Sequence, residues 1–245
     1  MISITVPTRN RPGHLLRALA SIAAQTVRDV QILVVDDGDG AGAAAARGLG
    51  DARIETLISG GAGQVAARNM AIGAARGDIV AWLDDDDWWE ETDHLARIVA
   101  TIAAQPCLAH ASGRLVQETE ARASTGSLPF QAAMTLDSAS RDNTLLASGI
   151  AYPARLHAEI GRFDDTLPIY WDWDWYLRVL RHGLPAVATG GTGVCISVRS
   201  DNTSGHGNTA LRRADLARFA AKNGLSGLVL KNHEDVAREQ EAAVE

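Results

Sequence analysis

Three clusters of polar residues in this sequence carry side chains that could do chemistry. The most acidic is a run of four aspartates at positions 84–87, which follows an apolar stretch and is closed by Trp88 and Trp89. Carboxylates held close together raise one another's pKa unless a cation neutralises them. Oxygen ligands from one or two carboxylates, completed by water and phosphate, are typical of Mg²⁺ or Mn²⁺ sites. The run therefore indicates a site for a divalent metal and a diphosphate. The alternative is a solvated acidic turn that caps the following helix.

The second cluster is the segment 36–40, which reads Asp-Asp-Gly-Asp-Gly. Aspartate and glycine pairs form turns readily. A carboxylate here could instead accept hydrogen bonds from the N–H groups of a base or from ribose hydroxyls. On its own the segment favours a plain turn, whereas beside the other two clusters it favours binding.

The third cluster is 170-YWDWDWYLR-178. Aromatic neighbours remove water from a carboxylate and raise its pKa, which suits a general base, and aromatic faces also stack on sugar rings. The alternative is a helix start whose carboxylates complement the helix dipole and whose tryptophans fill the core. Asp172 and Asp174 point in different directions on a helix, so at most one of them is expected to face a substrate.

The first half of the chain predicts the elements that would position these clusters. Short apolar runs bounded by turn signals predict buried strands at residues 2–6, 30–35, 53–58 and 79–83. Helices are predicted between them at 12–24, 41–49 and 63–75. This alternation predicts a mostly parallel sheet with helices on its faces. Ligands bind outside the carboxyl ends of such strands, so Thr8-Arg9-Asn10 and the first two clusters are expected to share one crevice.

The second half is less regular. Residues 115–143 are polar and weakly periodic, which indicates loops and an edge strand. Regular secondary structure is expected again at 145–152, followed by helices at 153–160 and 171–182. A strand is then expected at 193–198, with helices at 209–221 and 231–245.

Composition limits the partners and the location. The formal net charge of −7 provides no basic stripe for nucleic acid. Cys107 and Cys195 make neither a disulfide framework nor a metal quartet, so a reducing compartment is expected. The sequence begins with a strand pattern, and no apolar run approaches the ~20 residues that cross a bilayer. We therefore expect a cytoplasmic protein without a transmembrane segment.

Five segments resemble, in order, the motifs of family 2 glycosyltransferases with the GT-A fold. They are 4-ITVPTRNRPGHLLRAL-19, 32-ILVVDDGDG-40, 66-AARNMAIGAARGDIVAWLDDDDWW-89, 161-GRFDDTL-167 and 171-WDWDWYLR-178. The third is the most specific, and the resemblance covers about residues 1–200. It implies an α/β GT-A fold with a mostly parallel central sheet, helices on both faces and a Rossmann-like N-terminal half. Residues 1–110 would then bind the nucleotide sugar, residues 111–208 would bind the acceptor, and residues 209–245 would be a C-terminal helical extension.

The resemblance also implies roles for individual residues. The nucleotide sugar would be held by Pro7, Thr8, Arg9, Asp37, Arg68, Asp84 and Asp85. Asp84 and Asp86 form the D-x-D pair of metal ligands, which His206 in the loop 199–208 could complete. Asp172 matches the general base.

Trp171 and Trp173 are expected at the acceptor, and Trp171 stands where the family usually has a glutamate. We expect this tryptophan to reshape the acceptor pocket.

The sequence thus predicts an inverting glycosyltransferase (EC 2.4) that depends on Mg²⁺ or Mn²⁺. Its donor would be a nucleotide-diphosphate sugar, most simply of UDP or dTDP, and its acceptor would carry a hydroxyl. Two alternatives are a nucleotidyltransferase and a non-catalytic sugar-nucleotide-binding protein. The first is disfavoured because the segment 7-PTRNRPGH-14 is basic but poor in glycine.

Overall fold

The computed structural model of the protein describes residues 1–119, 123–199 and 209–243. Its strands, in chain order, are β1 (Ile2–Thr8), β2 (Val30–Asp36), β3 (Ile54–Ile58), β4 (Ile79–Trp82), β5 (Trp88–Trp89), β6 (Leu108–His110), β7 (Gly113–Glu118), β8 (Ser124–Phe130), β9 (Ile150–Pro153), β10 (Ala186–Ala188) and β11 (Val194–Val198). Its α-helices are α1 (Pro12–Ala23), α2 (Ala41–Gly48), α3 (Gln64–Ala74), α4 (His94–Ala104), α5 (Leu136–Ala139), α6 (Leu156–Ile160), α7 (Trp171–Arg181), α8 (Thr209–Asn223) and α9 (His233–Ala242). A short 3₁₀ turn, Ala147–Gly149, precedes β9.

The larger of the two described sheets has seven strands in the order β10-β6-β9-β4-β1-β2-β3. β4, β1, β2 and β3 run parallel to one another, as do β10 and β6, whereas β9 lies between these two groups and is antiparallel to both strands beside it. The fold class predicted from the sequence, a mixed α/β fold with a mostly parallel central sheet, is confirmed.

Helices cover both faces of this sheet. Side chains alternate between the two faces along a strand. In β2, Val34 belongs to the core cluster that contains Leu15 of α1, whereas Val35 packs with Ala67 of α3. β2 is therefore buried on both sides, as parallel strands usually are.

The smaller sheet has the order β5-β11-β7-β8. β11 lies parallel to β7 and antiparallel to β5, the pair of tryptophans that closes the aspartate run. This pairing brings the end of β11 beside the end of β4, although the two are far apart in sequence. α9 lies against β8, where the Gln240 side chain bonds to the Gln131 backbone.

The parts of the fold that the sequence misplaced or missed lie after β4. The segment 115–143, expected to hold loops and an edge strand, contains most of β7 and all of β8, and β8 is at the edge of the smaller sheet. The helix predicted from residue 153 begins only at Leu156, because Pro153 is still in β9 and pairs with Ile79. The elements α4, β6 and β10 were not predicted. The boundaries in the first half agree within two residues.

In the part of the chain that the structure describes, no helix combines the length and apolarity needed to cross a membrane.

Candidate active site

A cleft with a volume of about 520 Å³ opens at the carboxyl ends of β1, β2 and β4. It is lined by Pro7, Thr8, Arg9, Arg11, Asp37, Gln64, Ala67, Arg68, Asp84, Asp85, Asp86, Asp87, Ala147, Ile169, Trp171, Asp172, Ile196, Ser197 and His233. The structure therefore brings together every residue predicted for the donor site, both predicted metal-binding aspartates and the predicted base. Trp173 lines a neighbouring cavity instead, and His206 lies outside the described residues.

The side of the cleft that is predicted to bind the nucleotide is built from the ends of β1 and β2. The Asp37 backbone N–H donates to the carbonyl oxygen of Thr8 at 2.8 Å, which holds the two loops together. The Asp37 carboxylate is buried and accepts hydrogen bonds from the Ser59 hydroxyl at 2.6 Å and from the Gly63 N–H at 3.1 Å. The guanidinium of Arg9 lies 3.8 Å from the same carboxylate. These contacts fix a negative charge at the wall of the cleft.

Asp84 and Asp86 are the two aspartates of the run with more exposed carboxylates, and arginines contact both. The Asp84 side chain is 34% exposed and pairs with Arg68 of α3. The Asp86 side chain is 13% exposed, and its Oδ2 accepts hydrogen bonds from Arg11 at 2.8 Å and from Arg199 at 3.0 Å. The repulsion within the run is offset by guanidinium groups from three different elements.

Asp85 is directed into the protein on the donor side. Its Oδ2 accepts a hydrogen bond from the Thr8 hydroxyl at 2.7 Å, and its Oδ1 pairs with Arg11 at 2.9 Å. Burial and the neighbouring Asp86 raise the pKa of Asp85 to about 7, against the lowering effect of Arg11.

Asp87 is also turned inward, and it connects the two sheets. Its carboxylate accepts hydrogen bonds from the Ser148 hydroxyl and from the Ser197 backbone N–H, the latter at 2.9 Å. Burial raises its pKa well above the usual range, with a further contribution from Asp86. Its role is to hold the turn after β4 against β11.

The donor set of the cleft fits a divalent cation that the substrate helps to bind. No group of three or more His, Cys, Asp or Glu side chains within residues 1–119, 123–199 and 209–243 could hold a metal ion by itself. Mg²⁺ is usually held by only one or two carboxylates together with substrate phosphates. Asp84 and Asp86 supply two such carboxylates at the open end of β4, so they fit this kind of site.

Asp172 enters the same cleft from α7. It is 7% exposed, and its Oδ2 accepts a hydrogen bond from the Asn143 side chain at 3.1 Å. Burial raises the pKa of Asp172 to about 6, while bonds from the Trp173 backbone and from Asn143 act in the opposite direction. A carboxylate with this pKa can take up a proton and is still ionised near neutral pH.

The tryptophans on either side of Asp172 are buried. Trp171 is 4% exposed and packs against Trp82, with ring centroids 4.9 Å apart. The Trp173 indole N–H donates to the Ala139 carbonyl oxygen at 2.7 Å. Trp171 forms part of the cleft wall, and Trp173 faces the neighbouring cavity. Their acceptor roles stay predictions.

The neighbouring helix α8 supports α7 through two buried carboxylates. Asp215 accepts hydrogen bonds from the Ile169 and Tyr170 backbone N–H groups at 2.8 and 3.0 Å, at the point where α7 begins. Asp174 is fully buried and pairs with Arg178 at 2.9 Å and with Lys222 of α8 at 2.8 Å. Asp174 is therefore committed to packing, while Asp172 lines the cleft.

Three residues whose side chains contact the carboxylates of Asp86 or Asp172 were missed by the sequence reasoning: Arg11, Arg199 and Asn143. Arg11 could have been found, because it follows Thr8 in the same loop at the end of β1. Arg199 comes directly after β11, but its pairing with Asp86 depends on the smaller sheet, which was not predicted. Asn143 lies in a segment with no helical or strand pattern, so no sequence signal connects it to Asp172.

An acidic turn after a central parallel strand, facing a buried aspartate across a nucleotide-sized cleft, defines a GT-A type glycosyltransferase. The chain belongs to glycosyl transferase family 2, whose sequence profile matches residues 3–145. It is accordingly a glycosyltransferase (EC 2.4).

Relatives support this classification over most of the chain. The uncharacterised glycosyltransferase YwdF of Bacillus subtilis is 29% identical over 245 residues, which cover 98% of this chain and 90% of YwdF. An uncharacterised glycosyltransferase of Rickettsia felis is 25% identical over 74% of this chain, and the match spans 31% of that protein. The matches thus span most of the first relative and about a third of the second.

Solved structures share the fold. S. aureus TarS 1-349 in complex with UDP-GlcNAc matches with a TM-score of 0.65 and 18% identity, over 94% of this chain and 68% of that one. The mannosyltransferase PcManGT from Pyrobaculum calidifontis, in complex with GDP-Man and Mn²⁺, matches with a TM-score of 0.65 and 19% identity, over 97% of this chain and 67% of that one.

Proposed function

We propose that this glycosyltransferase moves a sugar from a nucleotide-diphosphate donor to an acceptor hydroxyl with inversion, and that Asp172 is the general base. The observation that carries the proposal is that Asp172, with its raised pKa, lines the same cleft as Asp84 and Asp86. The fold neighbours solved with UDP-GlcNAc and with GDP-Man support a nucleotide-sugar donor.

The diphosphate of the donor would be bound mainly by positively charged side chains. Arg11 and Arg199 both contact Asp86, so two guanidinium groups lie beside the carboxylates at the open end of β4. Guanidinium groups pair with phosphate oxygens through two parallel hydrogen bonds. The diphosphate would lie against these groups, with the base and ribose near Thr8 and Asp37.

A divalent cation held by Asp84 and Asp86 would neutralise the charge that develops on the departing diphosphate, which is a Lewis-acid contribution. Asp85 and Asp87 would hold the turn, since their carboxylates are already bonded to Thr8 and Ser148.

The transfer itself would be one displacement. The acceptor oxygen forms a bond to the anomeric carbon on the face opposite the diphosphate. The bond from that carbon to the diphosphate oxygen breaks, and its electron pair stays with the diphosphate. The proton of the acceptor hydroxyl passes to the carboxylate of Asp172. A single displacement inverts the anomeric centre, with no sugar–enzyme intermediate.

Family membership weighs against the two alternatives. A nucleotidyltransferase would use a basic, glycine-rich loop near the N-terminus, and the β1–α1 loop here reads Arg9-Asn10-Arg11. A pure binding protein would have no use for a buried carboxylate with a raised pKa beside the cleft.

Substitution of Asp172 tests the proposal. A thermal-shift panel of UDP, dTDP, GDP and CDP sugars with Mn²⁺ first identifies the donor that stabilises the protein. Asp172→Asn should then abolish transfer and leave the affinity for that donor nearly intact, and NMR of the product should show inversion. Substantial transfer by Asp172→Asn, or a product with retained configuration, would contradict the base assignment.

A further inference from the structure

A second cavity, with a volume of about 70 Å³, lies beside the cleft. Asp172, Ile169 and His233 line both spaces, so the two are neighbours across the predicted base. The rest of the wall of this side cavity comes mainly from Asn143 and Tyr170 and from the C-terminal segment, including Arg212 and Lys231. Its volume suits one small polar group rather than a sugar ring.

Arg212 is the unusual member of this wall. It is only 4% exposed, yet its guanidinium makes no ion pair with any carboxylate of the described residues. One of its nitrogens donates to the Lys231 backbone carbonyl oxygen, and its buried Nε has no hydrogen-bond partner. A buried charge is costly to leave unpaired, so a cation in this state is expected to have a partner that the described residues do not supply.

The other groups at the side cavity that could carry a positive charge are already paired or neutral. Lys231 pairs with Asp142 and with Glu239, both at 2.7 Å. Burial lowers the pKa of His233, which leaves it neutral near pH 7. The remaining positive charge is therefore that of Arg212.

A second buried polar group lies next to Arg212. The Tyr170 hydroxyl is inside the protein and has no hydrogen-bond acceptor among the described residues. Burial raises the pKa of Tyr170, while the charge of Arg212 and a side-chain hydrogen-bonding contact with it act in the opposite direction. The Tyr170 O–H and the Arg212 Nε–H thus both lack an acceptor, and they are the kind of donors that an anionic oxygen group requires.

We propose that the side cavity binds an anionic oxygen group, a phosphate or a carboxylate, on the acceptor substrate, and that Arg212 is its main ligand. An acceptor that spans both spaces would have its hydroxyl at Asp172 and its anionic group at Arg212. This assignment rests on the proposed function, since only a transferase with Asp172 as base needs an acceptor at that place.

Arg212 could instead serve only to hold α8 against Lys231 through the backbone hydrogen bond. The two roles give different results when an anion is added. A structural role makes the protein less stable after substitution, with or without the anion. A binding role makes the response to the anion itself depend on Arg212.

Inorganic phosphate and acetate are the probes, each titrated against the wild type, Arg212→Gln and Arg213→Gln. Both titrations are followed by thermal shift, and the phosphate titration also by ³¹P line broadening. Arg213 is the control, because it is the next residue of α8, carries the same charge and is exposed. We expect one or both anions to bind the wild type and Arg213→Gln, and to bind Arg212→Gln about tenfold more weakly, since a hydrogen-bonded charge pair is lost. The proposal would be overturned if neither anion binds the wild type, or if all three proteins bind the anions equally well.

Two further variants keep the test decisive if Arg212→Gln does not fold. Arg212→Lys keeps the charge but loses the planar pair of donors, so its affinity should be intermediate. Val229 lines the side cavity and is 62% exposed, so Val229→Phe should fold and narrow the entrance, with weaker anion binding as the result. Wild-type anion affinity in both would overturn the proposal.

The proposed function can fail separately. If no nucleotide sugar stabilises the wild type, the assignment of the donor site is wrong, and this conclusion does not depend on whether phosphate or acetate binds. If donor binding and Asp172-dependent transfer are found but anion binding does not depend on Arg212, only the anion site is wrong.

Discussion

The guanidinium of Arg68 lies over the indole ring of Trp171, 4.3 Å from the ring centroid. Arg68 also pairs with Asp84, so the tryptophan supports an arginine that in turn holds one of the two cleft-facing aspartates. The family resemblance led us to expect a glutamate at this position. The structure explains why a tryptophan can stand here in place of a glutamate: Trp171 fills the space between α7 and α3 and orients Arg68.

Trp171→Leu and Trp171→Phe should separate these two functions of the ring. Both variants lose packing, and we expect Leu to lower the free energy of unfolding by about 2–4 kcal/mol and Phe by less. Only Leu also removes the aromatic face under Arg68. Donor affinity should consequently fall more for Leu than for Phe in titrations with the nucleotide sugar. Equal donor affinities in the two variants would mean that the ring does not act through Arg68.

The pH profile should report the ionisation of Asp172. A general base works only when it is deprotonated, so transfer should fall as the pH drops through about 6, the pKa of this carboxyl. Asn143 donates a hydrogen bond to the charged form and so lowers that pKa. Asn143→Ala should move the acidic limb of kcat/KM to higher pH, and Asn143→Asp should move it further because of the added negative charge. If the acidic limb of the kcat/KM profile is unchanged in both variants, the group that ionises there is not Asp172.

The raised pKa of Asp172 should also be visible in stability. Its folded-state pKa of about 6 lies above the value of 3.8 for an exposed aspartate, so the folded protein binds the proton more tightly than the unfolded chain. The protonated form contributes stability in full below pH ~4, and this contribution is lost as the pH rises through about 6. At pH 7 Asp172→Asn should therefore be more stable than the wild type by about 1–3 kcal/mol, and the difference should shrink towards zero below pH ~4. Urea unfolding at several pH values measures this, and a variant that is less stable at pH 7 would contradict it.

The first half of the fold was predictable because its signals are local. β1, β2 and β4 are apolar runs that end in polar clusters, and parallel topology then brings Thr8, Asp37 and Asp84 to one edge of the sheet. The division of roles within the aspartate run was not predictable in the same way. Asp85 and Asp87 are turned inward by Thr8 and Ser197, which lie 77 and 110 residues away in sequence.

The same reason explains the misplaced second half. β7 pairs with β11 across about 80 residues, and the Arg199 that this sheet positions lies 113 residues from Asp86. β8 pairs with its sequence neighbour β7, but β7 itself is placed in the sheet by the distant β11, and the local pattern does not contain that information.

Asp215 should act on the site through the position of α7. It is fully buried, and its Oδ2 accepts both the Ile169 and Tyr170 N–H groups just before Asp172. Asp215→Ala leaves two buried donors without an acceptor, so we expect about 2–4 kcal/mol of lost stability and a lower kcat. Asp215→Asn keeps one acceptor oxygen and should therefore recover part of the lost stability and part of the lost kcat. Exposed Asp137→Ala is the control, and an Asp215→Ala protein as active as the control would show that the start of α7 needs no such support.

Metal binding should depend on Asp86 and be opposed by the arginines that contact it. Arg11 and Arg199 both donate to Asp86 Oδ2, the oxygen that a divalent cation would also use. Asp86→Asn should therefore abolish Mn²⁺ binding in the presence of UDP, as measured by electron paramagnetic resonance of the free ion. Arg11→Gln removes one competing cation, so without nucleotide it should bind Mn²⁺ more tightly than the wild type. Asp29→Asn, at the opposite end of β2 from the cleft, is the matched control for lost negative charge.

EDTA should remove transfer activity, and Mg²⁺ or Mn²⁺ should restore it. Unchanged Mn²⁺ binding in Asp86→Asn would mean that the guanidinium groups, and not a metal, are the permanent partners of this carboxylate.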